Sequence, residues 1–183
     1  MSSCTCCHQG QLLPHTLDNG LHVYACTACA GMAIDISTYL DWRREQPPTP
    51  NAGPQAPTGN VPPHNNNRHA LHCPACKRLM LKYRVHAGDS PSIDTCLRCD
   101  AIWLDGGEWE YLESIGLHTS LTAISTAAWQ SRRAQLNVTL RRNAEDREQL
   151  GDEVYTQAQQ VLAWLQAQPE RKHILKMLHR LGQ

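Results

Sequence analysis

Cys96-Leu-Arg-Cys99-Asp-Ala-Ile-Trp-Leu-Asp105 is the stretch that decides the fold, because the chain carries a second copy of it. Cys26-Thr-Ala-Cys29-Ala-Gly-Met-Ala-Ile-Asp35 aligns with it without a gap, and each copy follows another Cys-x-x-Cys pair. Two such pairs are the ligand number and spacing that a tetrahedral Zn²⁺ requires. The sequence therefore predicts two structural zinc ions. Their expected ligands are Cys4, Cys7, Cys26 and Cys29 in one site and Cys73, Cys76, Cys96 and Cys99 in the other.

Other uses of cysteine fit this pattern less well. A disulfide framework is typical of short secreted chains, and residues 1–20 show neither the basic start nor the apolar core of a signal peptide. A thioredoxin-like redox site has one Cys-x-x-Cys at a helix start, whereas this chain has four in matched pairs. Cys6 and His8 crowd the first pair. Either could replace Cys4 or Cys7 as a ligand, or Cys6 is a spare buried thiol.

Length and composition favour several small modules over one large core. The chain has 183 residues, no Phe and a mean hydropathy of −0.48. Modules of about forty residues rarely fold on apolar burial alone, and a structural metal is the usual remedy. No apolar run is long enough to span a membrane. Reduced thiols without a targeting segment predict a cytoplasmic location.

Each module is predicted to be a β-hairpin closed at its ends by cysteine pairs. Asn19-Gly20 is typical of a type I′ turn, and residues 21–25 alternate like a half-buried strand. Pro14 places its strand at a sheet edge. In the second copy, residues 79–85 alternate and residues 93–95 lead back to the second pair. A hairpin closed by metal in this way is a zinc ribbon.

Each ribbon is expected to run directly into a short helix. Asp105 and Glu108 have the spacing of a capping box, and Asp35 stands at the corresponding place in the first copy. Paired acids such as Asp105, Glu108 and Glu110 also perform general acid–base catalysis. Capping and the helix dipole explain Asp105 and Glu108 without further assumption, so the structural role is favoured.

Residues 72–113 resemble the bacterial transcription factor IIB-type zinc-ribbon family. That family shows Cys-Pro-x-Cys and then Cys-x-x-Cys-Gly-Gly-x-Trp-Leu-Asp-x-Gly-Glu, where this chain has Cys73-Pro-Ala-Cys76 and the run from Cys96 to Glu108. Asp100-Ala101 stand where the family prefers two glycines. The first copy resembles a degenerate member without the Trp-Leu and Gly-Glu elements. The resemblance implies a zinc ribbon with structural zinc; the family name implies transcription, but most bacterial members lack a defined activity.

Composition divides the chain into four segments. Residues 1–45 are the degenerate ribbon with its trailing helix, and residues 71–116 are the second ribbon with its helix. Residues 46–70, rich in Pro and Asn, predict a disordered linker that tethers the ribbons without requiring them to pack together. The histidines in and near this linker are interpreted as solvated rather than as ligands: His64, His69 and His72.

Residues 117–183 are predicted to form about three helices. Apolar residues recur loosely at helical spacing over residues 119–150 and regularly over residues 154–165. Pro169 is suited to the first turn of a third helix, which carries its own apolar face over residues 174–181. Sixty-odd residues of modest apolar content make a marginal bundle. Self-association or a protein partner is therefore expected to complete it.

Charge separates the function classes. Residues 1–45 carry four acids against two bases, residues 71–116 carry seven against five, and each four-thiolate site adds about two negative charges. Such ribbons are poor phosphate binders, and Arg132-Arg133 and Arg141-Arg142 are interpreted as a solvated helix face. Four thiolates also leave zinc no open position for catalysis. The sequence favours a non-enzymatic zinc-binding adaptor for protein–protein interaction, with a nucleic-acid-binding or transcription-associated factor as the alternative.

Overall fold

Six strands form one antiparallel sheet. A computed structural model describes residues 3–47, 53–54, 57, 62–65, 67, 69–88 and 90–181. The strands in this part of the chain are β1 (Leu12–Thr16), β2 (His22–Cys26), β3 (Met32–Asp35), β4 (Leu81–Arg84), β5 (Ser92–Cys96) and β6 (Ala101–Leu104). Their order across the sheet is β1-β2-β3-β6-β5-β4. β1 is therefore an edge strand, as Pro14 predicted.

The helices follow the strands of each repeat and fill the C-terminal part of the chain. They are α1 (Ile36–Glu45), α2 (Glu108–Ser114), a 3₁₀ turn (His118–Ser120), α3 (Leu121–Ile124), α4 (Ala127–Leu150), α5 (Asp152–Gln166) and α6 (Arg171–Leu181). None of these helices is both long and apolar enough to cross a membrane. The predicted α+β class is confirmed.

A third strand separates each hairpin from its helix, which the sequence analysis did not predict. β3 precedes α1 and β6 precedes α2, so the hairpins do not run directly into helices. Each of these strands has only four residues, too few for their alternation to be distinctive. They become strands because they pair with each other.

The β3–β6 pairing joins the two repeats into one sheet. Ala33 pairs with Trp103, the residue that occupies the same position in the gapless alignment of the repeats. The flanking pairs, Met32 with Leu104 and Ile34 with Ile102, exchange under the same alignment. The contact is thus two-fold symmetric in register, like the isologous interface of a dimer. The repeats therefore pack directly on each other, which the predicted tether did not require, and without this pairing each third strand would expose an unpaired edge.

The two faces of the sheet carry different cores. Along β6, Ile102 and Leu104 join a large apolar cluster with α1, α2 and α3, whereas Trp103 joins a cluster that contains the cysteines. Along β3, Ile34 and Ala33 divide in the same way. This is the period of two that a strand imposes. Helices therefore cover one face of the sheet, and both cysteine groups lie on the other.

The turn between β1 and β2 differs from the predicted type I′ turn. Gly20 has a φ of 86°, but Asn19 is not among the residues with positive φ. Gly20 donates its N–H to the Leu17 carbonyl (2.8 Å), and Leu17 donates to Leu21 (2.9 Å). The loop therefore has three residues and ends in a left-handed glycine, because a type I′ turn would require positive φ at Asn19 as well.

Two compact units can be distinguished, residues 1–137 and residues 138–183. The first half of α4 belongs to the sheet unit: Trp129 donates its indole N–H to the Val85 carbonyl (2.7 Å), and Asn137 accepts from Gly88 N–H (2.7 Å). The second unit contains α5 and α6. In it only Leu165 is a buried large apolar residue among those described.

Candidate metal centres

The first cysteine group forms from two turns of the first repeat. Cys4 and Cys7 precede β1, Cys26 ends β2, and Cys29 lies in the turn before β3. Their four sulfur atoms all lie within 4.8 Å of one another. The Cys4 and Cys29 sulfurs are 3.8 Å apart, and the Cys7 and Cys26 sulfurs are 3.7 Å apart.

The second cysteine group repeats this arrangement. Cys73 and Cys76 precede β4, Cys96 ends β5, and Cys99 lies in the turn before β6. The Cys76 and Cys96 sulfurs are 3.6 Å apart. A tetrahedron with Zn–S bonds of about 2.3 Å has sulfur–sulfur edges of roughly 3.8 Å. Both groups therefore have the donor type, number and spacing to hold a metal ion.

Each Cys-x-x-Cys turn is followed by a residue in the left-handed region. These four are the only non-glycine residues with positive φ in the described ranges: His8, Ala30, Lys77 and Asp100. The reversal aims the backbone N–H groups that follow it at the second cysteine of the pair, those of Gln9 and Gly10 at Cys7 and that of Arg78 at Cys76. Glycine would adopt this conformation without strain, but none of the four positions in this chain carries it.

Backbone hydrogen bonds and burial act in opposite directions on the thiols. The N–H groups of Gln9 and Gly10 lower the pKa of Cys7 to about 6, and that of Arg78 lowers the pKa of Cys76 to about 7. Burial raises the pKa of Cys4 and of Cys73. One thiol of each group is thus prepared to ionise, whereas full ionisation of the group requires a compensating cation.

Cys6 lies beside the first group without joining it. Its thiol donates to Asp105 Oδ1 (3.5 Å) and accepts from the Asn67 side-chain amide (3.4 Å). Burial is the first cause that raises its pKa to about 11. His8 is exposed and is also outside the group. The geometry thus separates both residues from the four sulfurs, in keeping with a spare thiol.

Asp105 and Glu108 serve the fold in different ways from those predicted. The N-cap of α2 is Gly107, with a φ of 86°, and Asp105 does not cap the helix with its side chain. Its carboxylate instead accepts from the Trp103 indole (2.9 Å) and from Asn67 N–H (2.6 Å). Glu108 keeps its half of the capping box by accepting Asp105 N–H (2.8 Å). The position of the left-handed glycine, invisible to a spacing rule, moves the helix start by two residues.

Burial raises the pKa values of two acidic side chains, Glu108 and Asp94. Glu108 is 1% exposed, and burial raises its pKa to about 9. Asp94, also 1% exposed, pairs with Lys82 (2.7 Å), and burial raises its pKa to about 6. Glu110, the third acid of the catalytic alternative, is exposed. Both oxygens of Asp105 and of Glu108 accept backbone or indole N–H groups, which favours structural roles.

The predicted linker falls largely outside the described residues. Those of its residues that are described make specific contacts: Asn65 N–H donates to the Gly106 carbonyl (2.8 Å), and a Cβ on Gly107 would lie 2.6 Å from the Pro63 carbonyl oxygen. His64 packs on Tyr111, with ring centroids 4.5 Å apart. No described histidine joins either metal-binding group. Sequence reasoning missed Asn67, because nothing local distinguishes it from its Asn neighbours.

Known proteins offer no guide beyond this geometry. Comparisons with protein families, with curated proteins and with solved structures find no match to this chain.

Proposed function

We propose that the protein is a non-enzymatic adaptor built around two structural Cys4 zinc sites. The observation that carries this proposal is the pair of four-sulfur groups with tetrahedral spacing, on one face of a shared sheet. Zn²⁺ is the metal that such closed thiolate sites typically hold, and four protein ligands leave no coordination position for a substrate. The repeated pattern also supports membership in the bacterial transcription factor IIB-type zinc-ribbon family, and the thiols suit the reducing cytoplasm.

The C-terminal helices supply the adaptor surface. Their exposed large apolar side chains are each between 38% and 76% exposed: Val154, Val161, Leu162 and Trp164 on α5 and Leu175, Met177, Leu178 and Leu181 on α6. On α6 the basic residues Lys172, Lys176 and Arg180 follow at intervals of four, away from the apolar stripe. An exposed apolar stripe, on a helix that also carries a separate basic stripe, fits a protein partner or a second copy of this chain.

Metal content tests the zinc half of the proposal. The reduced, purified chain should contain two zinc ions by elemental analysis, and Cys76→Ser should contain fewer. Cys6→Ser is the matched control, because it removes a thiol from the same neighbourhood and should keep both ions. A wild-type chain with one ion or none after zinc reconstitution contradicts the proposal, and loss of an ion in Cys6→Ser would make Cys6 a ligand.

Point variants test the adaptor half in the full chain. Leu162→Glu with Leu178→Glu should abolish self-association in analytical ultracentrifugation, or partner capture, while both zinc ions remain. Gln159→Glu with Gln166→Glu is the control, because it adds two carboxylates to exposed polar positions of α5 outside both the apolar and the basic stripe. Equal behaviour of the two double variants would contradict an apolar docking surface.

Salt dependence distinguishes the nucleic-acid alternative. The single basic stripe of α6 is the observation that favours it, because this helix contains four Lys or Arg and no acid. Physiological binding to DNA or RNA should weaken steeply with salt through counterion release. The adaptor proposal expects a Kd weaker than about 10 µM near physiological salt. Tight, salt-sensitive binding that is lost with charge reversal of Lys172, Lys176 and Arg180 on α6, or of the arginine pairs Arg132-Arg133 and Arg141-Arg142 on α4, would replace the adaptor proposal.

A further inference from the structure

The two repeats carry side chains of very different size at the residue pair on their symmetry axis. Trp103 in β6 corresponds to Ala33 in β3, and the two face each other across the strand pair. Both belong to the cysteine-bearing face of the sheet. The indole of Trp103 is 1% exposed and fills its side of that face. The methyl group of Ala33 cannot fill the other side.

The residues that surround the Trp103 ring, which we call its seat, show what an indole requires at this place. A Cβ on Gly31 would lie 2.5 Å from Trp103 Cζ2, so the indole rests directly on the backbone that follows Cys29. The indole N–H donates to Asp105, the residue that follows β6 (2.9 Å). The seat therefore consists of a small residue under the ring and a carboxylate at its polar edge.

A cleft of about 280 Å³ lies at the corresponding place on the other side of the axis. Ala33 and Ala101, the counterparts of Trp103 and Gly31, line it together with Asp35, the counterpart of Asp105. Its far wall is the turn Cys73–Ala75, the counterpart of the turn at Cys4. The cleft thus repeats the surroundings of Trp103 without an indole in them.

Asp35 offers a hydrogen-bond acceptor at the edge of this cleft. The bonds from Ser37 and Thr38 that cap α1 converge on its Oδ1 atom. These bonds lower the pKa of the carboxyl group, which is exposed and therefore ionised at neutral pH. Within the described ranges, none of the three bonds reaches Oδ2, which can accept from a donor that enters the cleft. Tyr24 stands at the rim with 53% of its surface exposed.

We propose that this cleft binds a tryptophan side chain of a partner polypeptide. The ring lies against Ala33 and Ala101, and its N–H donates to Asp35, as Trp103 does to Asp105. Ala101 has a methyl group where the first repeat has Gly31, so the bound ring stands further out than Trp103 and packs on Tyr24. The inference rests on the proposed adaptor function in naming a protein partner, but it involves no residue of α5 or α6.

An NMR titration of the zinc-loaded full chain tests the proposal with three capped tripeptides. Acetyl-Gly-Trp-Gly-amide should cause saturable shifts of the amides of Tyr24, Ala33, Ala75 and Ala101, and acetyl-Gly-Ala-Gly-amide should not. The 1-methyltryptophan analogue, which lacks the N–H donor, should bind about threefold more weakly or worse. In Asp35→Asn, which keeps the capping oxygen, the two indole peptides should bind equally.

Substitutions that reshape the cleft give opposite expected changes. Ala33→Trp should fill it from within and abolish binding, whereas Ala101→Gly should deepen it and tighten binding about threefold or more. Tyr24→Ala, at an exposed position, should weaken binding even if Ala33→Trp fails to fold. Leu13→Ala, on the neighbouring strand and outside the cleft, is its control.

Three results would overturn the proposal. These are equal shifts from the alanine tripeptide, binding that Ala33→Trp or Tyr24→Ala leaves unchanged, and indole-dependent shifts confined to α5 and α6. The last result would leave the C-terminal adaptor surface standing and remove the cleft alone. Loss of partner capture in the Leu162 and Leu178 variants, with tripeptide binding intact, would show that the two surfaces act separately.

Discussion

At the scale of single residues, each cysteine pair is followed by a residue in the left-handed conformation, which the cysteine spacing does not predict. Ala30 has a φ of 57°, and Asp100 has a φ of 49°. Left-handed conformation costs a non-glycine residue about 1–2 kcal/mol. The chain tolerates this cost after each cysteine pair, because the turn brings N–H groups to the sulfurs. Glycine at these positions would remove the strain.

We expect Ala30→Gly to raise the free energy of unfolding by about 0.5–1 kcal/mol, since relief of strain exceeds the added entropy of the unfolded chain. Ala28→Gly is the matched control, an exposed alanine of the same turn without positive φ. It should lower stability by about the same amount. Chemical denaturation of both variants in excess zinc measures the difference, and a loss of stability in Ala30→Gly would contradict the strain argument.

Glu108 should make stability fall as the pH rises. Its pKa in the folded chain, about 9, lies above the usual value of 4.5. The folded state therefore retains a proton that the unfolded state has released between these values. The stabilisation is complete below about pH 4.5 and is lost as the pH rises toward 9.

Comparison with Glu108→Gln isolates this contribution. Metal binding makes the stability of both proteins rise with pH by the same amount, so it cancels in the difference. From pH 6 to 8.5, the wild type should lose stability relative to Glu108→Gln by up to about 1 kcal/mol per pH unit. Glu110 is exposed on the same helix, so the free energy of unfolding of Glu110→Gln should change with pH in parallel with that of the wild type. Parallel curves for all three proteins would show that Glu108 is ionised in the folded chain.

At the scale of elements, the β3–β6 pair depends on one close contact. Trp103 lies on Gly31, and the sheet continues through Ala33 opposite it. The two strands are short, so side-chain packing has to supplement few hydrogen bonds. A methyl group between indole and backbone would therefore disturb both the strand pair and the first metal group.

Gly31→Ala should lower the free energy of unfolding by about 1–3 kcal/mol, because the added Cβ would lie 2.5 Å from the indole. A shift of the Trp103 indole N–H resonance in the NMR spectrum should accompany it. The mirror-image change, Ala101→Gly, should cost no more than about 1 kcal/mol. Thermal unfolding compares the two variants. If Gly31→Ala were as stable as the wild type, the Trp103 indole would not pack on Gly31.

At the scale of the whole sheet unit, the two metal groups share one structure. The strands that follow them pair directly, so loss of one group removes an edge that the other repeat needs. Zinc binding to such small modules contributes directly to folding free energy. The sites should therefore be thermodynamically coupled, whereas repeats that were only tethered would lose metal independently.

In Cys76→Ser, we expect the first site to give up its zinc to a chelator at least about tenfold more readily than in the wild type, a coupling of about 1.4 kcal/mol. Competition with a colorimetric chelator measures this. Cys6→Ser should release zinc like the wild type. Unchanged affinity of the first site in Cys76→Ser would mean that the sheet unit divides into independent halves.

The amino-acid sequence alone determined the cysteine grouping, the α+β class, the edge position of β1 and the cap at Asp35. These features follow from local spacing and from the chemistry of single side chains. Only the tertiary structure decided that β3 and β6 pair, that Asp105 binds Trp103 and Asn67 rather than capping α2, and that a cleft opens at Ala33. These features depend on residues far apart in the chain. Their contacts form only in the folded sheet, where β3 pairs with β6 and the Trp103 indole packs on Gly31.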